Sequence, residues 1–406
     1  MNKAYVSVLC LTLVFLISGC APQEEPATPV EPLPNGLLLA MAVLDKDEAG
    51  NPMTLPAQAG ILSRGATGWN YRNIEDTDSN MFQKVMVYEP APGKAGILTL
   101  GGNKAIIKLW GKGAAPEVVW QEDFGGKVSL MRDGEVADVY GDGSSAIAVA
   151  THDQGVVALV RPGEDGGYHV EELDRQADTI VHEVEIGDLD GDGQLEVYAT
   201  PSEPNRFDGT PQPGKVVRYV PAKEEGRTVV ADLGDRHAKE ILVGDVDGDG
   251  TDELYVSVEA LTGGQVEIRR YDADTDPTQG VMIAELSDKL CRFLTAGDVD
   301  GDGKKEMVAG THKSGLWLLK PGVDAKTRWA IESIDKESSG FEHASILADL
   351  DGDGRDELYV ASDDHKEVRR YVWEGGKPVR EVIHTYPENL SVFTWNIMPI
   401  PVELIP

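Results

Sequence analysis

One phrase recurs along the chain: an aspartate-rich, glycine-rich turn followed at once by an apolar run. It reads ADVYGDGSSAIAVAT at 137–151, GDLDGDGQLEVYAT at 187–200, GDVDGDGTDELYVSV at 244–258, GDVDGDGKKEMVAGT at 297–311 and ADLDGDGRDELYVAS at 348–362. Its first aspartate falls at positions 138, 188, 245, 298 and 349, in steps of 50, 57, 53 and 51. A period near fifty is too long for one hairpin and fits a four-stranded sheet, so the chain reads as an array of such sheets. The 45 glycines, against 7 Phe and 7 Trp, agree with many short strands joined by turns.

Each unit reads alike. In the unit of Asp349 an apolar strand, Ile346-Leu347-Ala348, enters the turn, and further strands are expected at 357–361, 367–373 and 379–385. The step of 57 reflects a Pro/Gly insertion at 201–214, between strands two and three of its unit. Weaker copies flank the array. Residues 96–110 mimic strands two and three, and 69–76 (WNYRNIED) parallels the fourth strand at 329–335 (WAIESID). Residues 391–401 resemble a first strand with nothing after it, while 37–75 supplies material for the other three. The expectation is an all-β, seven-bladed β-propeller of four-stranded antiparallel blades. The N- and C-terminal strands complete one blade and so leave no bare sheet edge. Six blades or an open stack are the alternatives.

The D-x-D-G-D-G-x-x-E turn leading into a strand resembles the FG-GAP/VCBS repeat family, the propeller type also found in integrin α-subunit heads. The likeness spans roughly 82–385 and is strong in four units. It implies that the first strand of each unit lines a central channel, with the aspartate turn at its far end. It implies little about activity, because one fold carries many functions.

In the turns themselves, alternate residues of a tight loop point inward and bring three carboxylates together. Asp188, Asp190, Asp192 and Glu196 occupy positions 1, 3, 5 and 9, with the carbonyl of Gln194 at position 7. The same set recurs as Asp245, Asp247, Asp249, Thr251 and Glu253, then as Asp298, Asp300, Asp302, Lys304 and Glu306. It recurs again as Asp349, Asp351, Asp353, Arg355 and Glu357. Hard anionic oxygens without His or Cys favour Ca2+, and about four ions are expected. An EF-hand needs a glutamate at position 12, where this chain has Ala199, Val256, Ala309 or Val360, so that reading fails. The copy at 138 has Tyr140 at position 3 and Ala146 at position 9, and no metal is expected there.

The N-terminus carries an address. Residues 1–19 read as a lipoprotein signal peptide: Lys3, an apolar stretch from Ala4 to Leu16, then Ile17-Ser18-Gly19-Cys20 as a lipobox. Cys20 would take the lipid, 20–35 would form a proline-rich tether, and 36–406 the propeller. Ala21, by resemblance to lipoprotein sorting in Gram-negative bacteria, favours the outer membrane. The membrane would be met through the lipid alone. Cys291 has no disulfide partner in sight and reads as buried. A formal net charge of −33 argues against nucleic-acid binding.

Six residues before each first aspartate stand Arg132, His182, Lys239, Arg292 and His343, all able to carry positive charge in an acidic chain. They predict a cationic collar at the channel mouth, opposite the aspartate turns, suited to a carboxylate, sulfate or phosphate. The competing reading is an ion-pair girdle neutralised by Asp133, Glu183 and Glu240. The turns at 151–153, 311–313 and 364–366 and the 201–214 insertion should reach the same face. Trp69, Trp120 and Trp329 read as packing between blades. No G-x-S-x-G, H-E-x-x-H, phosphate loop or dinucleotide fingerprint is present. The leading expectation is a calcium-stabilised, non-catalytic binding, adhesion or assembly module for an acidic glycan or protein at the channel-mouth face. The alternatives are a polysaccharide lyase or dehydratase acting on uronates and a purely structural envelope protein. Oligomeric state is not legible.

Overall fold

In every unit the second strand is the most deeply buried. Ala146–Thr151, Glu253–Val258, Glu306–Thr311 and Glu357–Ser362 are buried at all positions, because both faces of a middle strand pack against neighbouring sheets. Outermost strands such as Tyr168–Asp174 and Ala330–Asp335 are polar and largely exposed. This gradient from apolar to polar sorts the strands radially.

The computed structural model describes residues 34–405, apart from 48–49, 103, 126–128 and 153. The signal peptide, Cys20 and nearly all of the tether lie outside the described residues. Seven antiparallel sheets form a seven-bladed β-propeller. Blades 1 to 6 span 82–121, 131–174, 180–232, 238–286, 291–335 and 345–385, each with four strands in sequence order. Each inner strand touches the next one around the full circle.

Blade 7 is the composite expected from the two chain ends. Ser391–Pro401 is its inner strand and pairs antiparallel with Pro34–Lys46, from Pro34 opposite Pro401 to Leu44 opposite Ser391. Ala57–Gly65 and Gly68–Asp76 complete it. A short extra strand, Pro52–Thr54, extends the sheet, and the first strand starts at Pro34, just inside the expected tether. Apolar clusters sit between blades. In one, Leu189, Tyr198 and Val216 of blade 3 meet Ile241, Leu254 and Val256 of blade 4.

Candidate functional site at the channel mouth

The inner strands share a local irregularity. In blades 1 to 5 and 7 the pairing with the second strand slips near its start, leaving a β-bulge. The bulged residues are Gln83, Arg132, His182 with Glu183, Lys239 with Glu240, Arg292, and Trp395. A bulge frees one residue from the ladder and re-aims its side chain. Six blades thus present one irregular position each at the same end of the channel, with the aspartate turns at the other end. Along an inner strand of seven or eight residues, that separation is about 20 Å.

Four of the five expected collar residues occupy this ring. His343 does not. The inner strand of blade 6 is only Ser345–Ala348, and just before it the backbone turns left-handed at His343, with φ 58°. The imidazole is buried sideways, Nδ1 donating to the Thr311 carbonyl at 2.7 Å and Nε2 lying 2.7 Å from the Ser338 hydroxyl. Burial pushes its pKa down to about 4. Glu342 enters the ring instead, a slip of one residue.

That slip sets a carboxylate among the cations and partly neutralises them. Lys239 Nζ bonds Glu342 Oε2, and Arg292 and Arg132 approach Oε1 at 3.8 and 4.0 Å. Burial alone would raise Glu342, yet Lys239, Arg292 and Arg132 hold it down at about 2. Arg292 also lies 2.9 Å from Glu259, whose carboxyl stays below the usual range although burial opposes this. The expected open collar is therefore three cations gathered around two carboxylates. Asp133 and Glu240 do not neutralise it in the expected way. Each accepts a backbone N–H from the next blade's inner strand, Val184 at 2.9 Å and Leu294 at 2.8 Å.

A cavity of about 320 Å3 opens at this mouth. Arg132, His182, Arg292 and Glu342 line it, with His152 from the 151–153 turn and Asn205 and Phe207 from the long insertion. Arg132 packs over the Trp395 ring at 5.3 Å and also bonds Gln83 Oε1. Arg292 packs against both Phe207 and Phe341, 5.4 Å from each ring, and the two rings stand 5.9 Å apart. Phe207 is held in a left-handed conformation (φ 56°), its N–H donated to Asn205 Oδ1 at 2.8 Å. His182 is buried, and burial together with His237, Arg132, Arg292 and Lys239 pushes its pKa well below the ordinary value. Gln83, Phe207, Phe341, Glu342 and Trp395 escaped the sequence reading. Blades 1 and 7 have no aspartate turn from which to count.

Deeper in the channel a second cavity of about 300 Å3 is lined by Lys84, Glu135, Glu183, Glu185 and Glu240. Burial raises all four of these carboxyls, Glu240 to about 8. Lys84 stays cationic between Asp133 at 3.3 Å and Glu135 at 2.5 Å.

At the opposite end, the four strong turns bring their aspartates together. Carboxylate oxygens of Asp188/190/192, Asp298/300/302 and Asp349/351/353 lie mutually within 4.8 Å, and Glu253 joins Asp245/247/249 in the same way. Gly191 and Gly193, at φ 67° and 83°, supply the curvature that a side chain would resist. All four glutamates at position 9 accept the N–H of the residue at position 2, as Glu196 does from Leu189 at 3.1 Å. Glu196, Glu306 and Glu357 are not in their aspartate groups. This all-oxygen donor set fits a hard divalent cation, with the aspartates as its direct ligands. In the turn at 138, Arg161 caps the Tyr140 ring at 4.4 Å and pairs with Asp142 at 3.4 Å.

The tryptophans of the fourth strands pack as expected: Trp69 is edge-on to Tyr359 of blade 6, and Trp329 to Tyr255 of blade 4. Cys291 is buried.

No known family profile matches the chain, and no curated protein does either. Solved structures do. A protein from Lactobacillus plantarum is 12% identical, covering 90% of this chain and 99% of its own, with a TM-score of 0.57. The Dos1 propeller is 8% identical over 88% of each chain, TM-score 0.51. A putative 6-phosphogluconolactonase from Bacteroides fragilis is 13% identical over 93% of this chain and 100% of its own, TM-score 0.49. Likeness at such identity speaks for the fold alone.

Proposed function

We propose that this chain is a calcium-stabilised propeller of the FG-GAP/VCBS repeat type that binds an acidic glycan or a protein ligand at its channel mouth. It would be held at the cell envelope by lipid on Cys20, at the outer membrane of a Gram-negative bacterium. The observation that carries the reading is the mouth cavity. In a chain of net charge −33, two arginines stacked on aromatic rings line one concave surface. Such a patch attracts an anion that the rest of the surface repels.

The uronate lyase is the second reading, and one observation favours it. His182 lines the same cavity as Arg132 and Arg292, and its surroundings keep it neutral, as a general base must be. Incubation with a panel of uronic-acid polysaccharides separates the two. Retention of a glycan without formation of the ultraviolet-absorbing unsaturated uronate supports the binding module. Growth of that absorbance replaces it with the lyase, and silence in both transfers the role to a protein partner.

A further inference from the structure

The side chains that line the mouth cavity include buried polar atoms that the chain itself leaves without hydrogen-bond partners. On the donor side, Arg292 Nε and Trp395 Nε1 have none. Arg292 Nη2, although 2.9 Å from Glu259, is not aligned for a hydrogen bond. On the acceptor side, Glu342 Oε1 is unpartnered, the two arginines standing 3.8 and 4.0 Å away. His182 has no partner at either ring nitrogen. A neutral imidazole offers one donor and one acceptor. Buried polar groups normally find partners, so six unmatched atoms on four side chains that line one cavity point to a ligand that brings its own.

The pattern describes that ligand. Arg132, Lys239 and Arg292 face Glu342 and Glu259, leaving room for one negative charge. An arginine fork matches a planar carboxylate. A phosphate ester would bring a second charge against Glu342. The unmatched acceptors need O–H donors, which a bare aromatic acid lacks. Phe207, Phe341 and Trp395 form flat apolar walls, and about 320 Å3 is at the small end of ligand pockets, enough for one ring.

We infer that the mouth cavity is a subsite for a single sugar-acid residue: a hydroxylated ring bearing one carboxylate, the carboxylate held by Arg292 and Arg132 and the ring stacked against Trp395, Phe207 and Phe341. This deepens the binding reading above and rests on it. It names one residue as the recognised unit, where that reading requires only an acidic ligand on the face.

Calorimetric titration of the intact chain with D-glucuronate, D-galacturonate, D-glucose, benzoate and sulfate tests it. One of the two uronates should bind at least about tenfold more tightly than glucose, benzoate or sulfate. Arg292→Gln should weaken that binding by about tenfold to a hundredfold, as loss of a charge-assisted hydrogen bond does. Should Arg292→Gln fail to fold, Arg132→Gln at the rim and Trp395→Phe, which deletes only the indole N–H donor and part of one ring, give the same reading. Benzoate or sulfate binding as well as the uronate overturns the sugar-acid assignment, as does uronate binding that all three variants leave unchanged. Polyuronate retained by a chain that ignores both monomers refutes this subsite while sparing the broader reading. Failure of polymer and monomer alike refutes the subsite and leaves the broader reading with a protein ligand alone.

Discussion

Glu240 shows what a single buried carboxyl costs and contributes. It sits beside Lys239 on the bulge of blade 4, with Oε1 fixed by the Leu294 N–H and Oε2 unpartnered. Burial raises its pKa from the ordinary 4.5 to about 8, against the pull of Lys239. An acid whose folded pKa is raised binds its proton more tightly in the folded state. The stabilisation is fully present below the unfolded pKa and is lost as pH rises towards about 8. Glu240→Gln keeps an acceptor for Leu294 but cannot ionise. Between pH 5 and 8, urea unfolding at saturating calcium should show the natural chain losing stability relative to the variant, by up to a few kcal/mol. Parallel pH profiles for the two proteins would mean that Lys239 and Lys84 already balance an ionised Glu240. The neighbouring collar was legible for a physical reason: the bulge lies at a constant distance from the aspartate turn, so counting back found Arg132, His182, Lys239 and Arg292. It failed at His343, where a left-handed residue and a shortened strand shift the register, which residue spacing does not encode.

At the scale of the element, the four aspartate turns are not equivalent. In three of them a third-strand arginine reaches back: Arg218 to Asp190 at 3.4 Å, Arg270 to Asp247 at 2.5 Å, and Arg370 to Asp351 at 2.7 Å. A tyrosine two residues past each of Glu196, Glu253 and Glu357 donates its hydroxyl to that glutamate. The turn at 298 has neither support. Register places Val308 opposite Leu318 where the others pair Tyr198 with Arg218, Tyr255 with Arg270 and Tyr359 with Arg370. Asp298, Asp300 and Asp302 therefore have the least support from the chain's own cations and, on the calcium reading proposed above, would depend most on the ion. Asp356 of the next blade accepts the Asp298 N–H and donates its own N–H to the Asp298 carbonyl, both at 2.8 Å. Chelation with EGTA should lower the melting temperature. Deuterium exchange should then accelerate most, by about tenfold or more, in 298–306 before the other three turns. Unchanged melting after chelation would dismiss structural calcium, and uniform acceleration would dismiss the ranking. The motif made the shared aspartates plain. The difference lay hidden because the supporting arginines stand twenty or so residues downstream, where only strand pairing reveals them.

For the whole molecule the decisive contact is the one that turns an array into a circle. A first strand at the end of a chain has an unpaired edge, and that requirement made closure readable from 391–401. Ser391–Pro401 supplies the inner strand of blade 7, carries Trp395 into the mouth cavity, and contacts the inner strands of both adjoining blades. It also satisfies Asp363, a half-buried residue whose carboxyl is pushed up to about 7 by desolvation, through the Thr394 N–H at 2.6 Å and hydroxyl at 2.9 Å. Ending the chain at Leu390 should expose the apolar inner edge of Pro34–Lys46, orphan Asp363 and open blades 6 and 1 to solvent. An exposed, flat, apolar edge strand recruits other chains. The truncated protein is expected to melt at least about 10 °C lower and to self-associate in analytical ultracentrifugation, and a synthetic peptide of residues 391–401 should reverse both changes. A truncated chain that stays monomeric and melts at the original temperature would show that the blades hold one another without the closing strand. The two chain ends would then matter only for shaping the mouth.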